Sequence, residues 1–83
     1  MSKIKFWNHR IIETVDDSGE STFAIHEVYY GENNQPIACS ENPTGIISES
    51  LDGLIKEFDL FKLALEKPVL EMKYFENLQT KNN

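Results

Sequence analysis

The spacing of apolar residues changes character near residue 43, from β-type runs to a helical period. Between Lys3 and Val15, the β-branched and aromatic set Ile4, Phe6, Trp7, Ile11, Ile12 and Val15 predicts a strand. Asp16-Asp17-Ser18-Gly19 then predicts a turn, since the carboxylates can bond their own backbone and the glycine can take a positive φ. Ser21 to Tyr30 is the clearest strand of the chain, and Gly31-Glu32-Asn33-Asn34 predicts the turn that closes it. A shorter strand, Gln35 to Glu41, ends at Asn42-Pro43, because proline donates nothing to a ladder and biases its neighbour away from helix. Three sequential strands on short turns predict an antiparallel meander.

The helix signal follows. Ser48 or Ser50 can cap its first turn, and Glu49 and Asp52 place negative charge at the positive end of its dipole. At 100° per residue, Leu51, Leu54, Ile55, Phe58, Phe61 and Leu65 fall on one stripe, the expected packing face, with Lys62 at its edge. Gly53 weakens the first turn by about 1 kcal/mol relative to alanine, and Pro68 should stop the helix near Lys67. Beyond it, Leu70, Met72 and Tyr74 alternate with Glu71 and Lys73, predicting a short fourth strand or an extended arm; residues 79–83 are expected to fray. The expected fold is therefore α+β, one domain over residues 1–78. A three-stranded antiparallel meander is followed by one helix packed on one sheet face, then by a C-terminal strand or arm.

Hairpin register decides which residues share a face. With Ser18-Gly19 as a two-residue turn, Trp7, His9, Ile11 and Val15 lie with Ala24, His26, Val28 and Tyr30; with Asn33-Asn34 as a two-residue turn, or a four-residue second loop, Ile37 and Cys39 join them. This is the expected seat of the helix. The opposite face then holds Phe6, Ile12, Phe23, Ile25 and Tyr29, interrupted by Asn8, Arg10 and Glu27. One helix covers one side, so the second apolar face calls for a partner, most simply a second copy. The alternative is that the arm after Pro68, with Val69, Leu70, Met72 and Phe75, folds back over it. The residues expected to make the partner contact are Phe6, Arg10, Ile12, Ile25, Glu27 and Tyr29, with Leu60 and Leu63 as a second patch.

Composition narrows the function classes. The 83 residues include 14 acids and eight Lys or Arg, a net charge of -6. That balance disfavours a surface that grips phosphate backbone. Lys3, Lys5 and Arg10 sit among Phe6 and Trp7, the kind of basic-aromatic platform that stacks single-stranded nucleic acid. Residues 11–42, however, carry seven acids and no Lys or Arg, which favours a basic protein partner over nucleic acid. The single cysteine permits no intrachain disulfide and fits a reducing, cytoplasmic setting. No run approaches the ~20 apolar residues of a membrane span, and the first residues lack a signal-peptide stretch.

Candidate chemistry is sparse. His26 and Cys39 are expected on one face of adjacent strands, where a thiolate-imidazole pair could form. The acidic, covered setting favours simple core packing of the thiol. His26 and Glu27 point to opposite faces of a strand and cannot ligate one ion together, so no metal is expected. Asp16, Asp17 and Glu20 lack the spacing of a calcium loop, and Asn42-Pro43-Thr44-Gly45 lacks that of a phosphate loop. Arg10 and Glu27 are expected to pair across the first hairpin. No catalytic residue and no cofactor are expected.

Four pieces of the chain carry a resemblance: Ile25-His26-Glu27-Val28-Tyr29-Tyr30, Glu41-Asn42-Pro43, Ser50-Leu51 and Lys67-Pro68-Val69-Leu70. In this core the chain resembles a family of small uncharacterised bacterial proteins, over roughly residues 6–75; Gly53 departs from the acidic residue frequent there. The resemblance implies the architecture and no activity. The order of three strands and a serine-capped helix is also similar to HicB-type antitoxin domains, whose separate DNA-binding segment 83 residues cannot hold. The expected function is a non-enzymatic cytosolic interaction module that self-associates; the alternative is an acidic, antitoxin-like inhibitor of a basic protein.

Overall fold

The computed structural model describes the backbone of residues 3–81 and the side chains of residues 3–78. The chain runs β1 (Phe6–Val15), β2 (Ser21–Tyr30), β3 (Pro36–Cys39), α1 (Leu51–Leu65), β4 (Leu70–Glu71) and α2 (Met72–Lys81). The fold is α+β and the first three strands form the expected meander. The sheet itself has four strands in the order β3-β2-β1-β4, with β4 parallel to β1 through Ile12–Leu70 and Glu13–Glu71. The arm after Pro68 is thus a two-residue strand leading directly into a second helix, which the sequence pattern did not predict. That helix continues through Lys81, past residue 79, where fraying was expected; residues 82 and 83 lie outside the described residues.

The first hairpin departs from expectation by one residue. Asp16 N–H donates to Glu20 O at 2.9 Å and Gly19 N–H to Asp16 O at 3.0 Å, with Gly19 at φ 89°. This is a three-residue loop with glycine in the left-handed position, not a two-residue turn. The pairing runs Phe6–Tyr30, Asn8–Val28, Arg10–His26 and Ile12–Ala24 on one face. On the other it runs Trp7–Tyr29, His9–Glu27, Ile11–Ile25 and Glu13–Phe23. One residue of slip exchanges every side chain of β2 between faces, so both expected face lists are corrected. The second turn closes through Gly31 N–H to Gln35 O at 3.0 Å, with Asn34 at φ 60° and a bulge between Tyr29 and Tyr30.

Each face has its own cover. On the Phe6–Ile12 side, α2 lowers Phe75 onto Ile12, Val28 and Tyr30, with Cys39, Leu70 and Met72 packed around them. On the Trp7–Ile11 side, α1 lies along β1 and sets Phe61 against the His9 ring, centroids 4.8 Å apart. Ser50 caps α1 from an extended conformation, its Oγ accepting from Gly53 N–H at 3.0 Å. A Cβ at Gly53 would displace the exposed Ser48 hydroxyl from its present position. The helix ends at Glu66, two residues before Pro68.

Candidate interaction surface

The residues expected to form one patch are divided between two faces. Phe6, Arg10 and Ile12 lie on the α2 side. Ile12 is 0% exposed and belongs to the intrachain core, so it is withdrawn as a contact residue. Phe6 stacks on Tyr30 at 4.5 Å with rings nearly parallel. Arg10 does not meet Glu27: its guanidinium donates to Tyr30 Oη at 2.9 Å and to Pro68 O at 2.7 Å. It therefore fastens the start of the C-terminal arm to the sheet. Close by, Asn8 Oδ1 and Arg10 Nε are buried without a hydrogen-bond partner.

Ile25, Glu27 and Tyr29 lie half-buried on the opposite face. Tyr29 Oη donates to Glu27 Oε1 at 2.7 Å, and this bond to the carboxylate pushes the phenol above its ordinary value. Phe23, Trp7 and Val15 on the same side are exposed. Leu60 and Leu63 are exposed on the outer side of α1.

The larger apolar feature is α1 itself. Only one edge of its expected packing stripe, Leu54 and Phe61, meets the sheet. The helix is held by Phe61 and Ala64, both buried, with Leu54 and Glu57 half-buried beside them. At 100° per residue that flank is turned about 80° from the apolar stripe. Leu51, Ile55, Phe58 and Leu65 consequently stand 72%, 53%, 55% and 65% exposed. Ala64 is almost completely buried on this flank. The sequence holds the signal in retrospect: Lys62 at the edge of the stripe would have to snorkel out if the stripe faced the sheet.

The polar groups expected to carry chemistry are bonded within the chain. His26 Nδ1 lies 3.0 Å from Ser40 O, and Ser40 Oγ donates to Asn42 O. Cys39 donates its thiol hydrogen to Met72 Sδ at 3.8 Å, and burial pushes that thiol above its ordinary value, opposite to what a nucleophile needs. Among the described residues, no three His, Cys, Asp or Glu side chains gather to hold a metal ion. Nor is any described helix long and apolar enough to cross a membrane.

The whole chain exposes more surface than its mass requires. It presents 6511 Å² against about 5,100 Å² for a compact monomer of this size, an excess of about 1,400 Å². Its radius of gyration is 14.0 Å, where about 11.8 Å is usual for this length. A chemistry-bearing pocket is not the prominent feature; an uncovered apolar helix is. No family model, curated protein or solved structure matches this chain.

Proposed function

We propose that this protein is a small non-enzymatic interaction module that works as a homodimer in the cytoplasm. One observation carries the reading: four large apolar side chains of α1 stand more than half exposed in a row. Apolar patches of that kind on a protein surface mark docking sites, and a two-fold dimer is the commonest way a chain covers its own. The surface proposed here is not the Phe6–Ile12 sheet face, which the chain's own α2 covers. Sedimentation equilibrium tests the reading. A mass near twice the 9.6 kDa of the chain is expected; a monomer throughout the micromolar range overturns it.

A second reading rests on a separate observation. Asp52, Asp59 and Glu66 repeat every seven residues along one flank of the α1 stripe. An apolar stripe edged by acids suits a basic protein partner, as in an antitoxin-like inhibitor whose carboxylates fill a positive cleft. Pull-down at low and high salt separates the two readings, since only the charged complex is released by salt.

A further inference from the structure

The exposed residues of α1 have a spacing that goes beyond general stickiness. Leu51, Ile55, Phe58, Lys62 and Leu65 are separated by four, three, four and three residues. That is the seam of a coiled coil, with Ile55 and Lys62 at a positions and Leu51, Phe58 and Leu65 at d positions. Among the described residues the seam is left open. Phe61 and Ala64, on the neighbouring flank, seat the helix on β1, and all five seam residues are exposed.

We infer that α1 pairs with α1 of a second copy through this two-heptad seam, with Lys62 as its one charged core position. The inference rests on the self-association reading and says where the contact is made and what sets its strength. Ile55, β-branched, at an a position and Leu51 and Leu65 at two of the three d positions are of the kind that favours two-stranded pairing. The occupant is a second copy because an apolar seam of this 4-3-4-3 spacing is met by the same spacing on a facing helix, which α1 of another chain supplies. Lys62 weakens the pairing, because its ammonium must leave water or snorkel out. Its own Asp59 and Glu66, three residues before it and four after, lie on the same helix side and partly neutralise it. A single lysine in a core position trades stability for a defined partner and register, so the dimer is built to exchange.

Four single variants in sedimentation equilibrium test this. Phe58→Glu, and Ile55→Ser as a milder change, should weaken dimerisation by about a hundredfold, the loss usual for a central apolar anchor. Lys62→Leu should tighten it about tenfold or more. Phe23→Glu, on the exposed sheet face, should leave it unchanged. Because the seam faces solvent in the single chain, circular dichroism of each variant at dilution should match the parent. A parent dimer that survives both seam changes and is broken by Phe23→Glu overturns the seam while leaving self-association standing. A Lys62→Leu dimer no tighter than the parent overturns the core placement of Lys62. A parent that is monomeric throughout overturns the self-association reading itself.

Discussion

Asp16 closes the first hairpin with a single carboxylate oxygen, which accepts from Ser18 N–H, Ser18 Oγ–H and Glu20 N–H at 2.9, 2.6 and 2.9 Å. These bonds favour the ionised form, the one from the Ser18 side chain most, and hold the carboxyl below its ordinary value of 3.8. The sign follows from linkage. A depressed folded-state pKa gives stability that is fully present above the ordinary carboxyl range and is lost as pH falls through the folded value. Asp16→Asn keeps an accepting oxygen without the charge. The parent should melt above this variant near neutrality, and the gap should close on acidification. A gap that stays constant between about pH 6 and pH 2 removes the carboxylate from the account. The same residue explains why register was hidden in the sequence. Asp-Asp-Ser-Gly announces a turn clearly, but two-residue and three-residue loops both accept it. The choice depends on how many backbone donors one carboxylate can gather.

The C-terminal arm is the element that most changes the picture of this fold. Its alternation over Leu70, Met72 and Tyr74 fits a strand, while Met72, Phe75 and Leu78 at spacing three fit a helix. In so short a window both patterns coexist, and only the uncovered Ile12–Val28 face selects the helix. By contrast, the bounds of β2 and a serine cap at Ser48 or Ser50 were legible, because strand composition and capping chemistry are local. The rotation of α1 was not legible, since Ala64 carries little weight in an apolar pattern yet is buried beside Phe61. Two changes probe the arm. Phe75→Ala should cost about 3–5 kcal/mol, a large share of the ~4–12 kcal/mol expected for a domain this size. Chemical denaturation reads it, and an effect below 1 kcal/mol would mean α2 is not part of the core. Arg10→Met keeps the aliphatic stem but removes the bonds to Tyr30 Oη and Pro68 O. It should cost about 1–3 kcal/mol and speed amide exchange in α2 while leaving the β1–β2 hairpin protected. Equal loss of protection in both would mean that Arg10 supports the sheet rather than the arm.

At the scale of the whole molecule, two forces act on association in opposite directions. Apolar surface on α1 draws copies together, and a charge of -6 on each drives them apart. The repulsion is long-ranged and screened, with a Debye length of about 10 Å at 0.1 M salt shrinking to about 3 Å at 1 M. Apolar contact is short-ranged and does not weaken with added sodium chloride. A dimer held by the α1 stripe should therefore tighten as salt rises from about 0.02 M to 0.5 M, the range over which screening changes most. It should tighten again as pH falls towards the sequence pI of 4.7. Complexes of the acidic flank with a basic protein should do the reverse and fall apart in salt. The thermal midpoint offers a second view, because a ligand that binds only folded chains raises it with concentration, and here the ligand is the chain itself. Fluorimetry of Trp7 at several protein concentrations and two salt levels measures both effects together. A midpoint that climbs with concentration, and climbs more steeply in high salt, is the signature of apolar self-association working against like charge. A midpoint independent of both would leave the chain a monomer whose greasy helix awaits a different, basic partner.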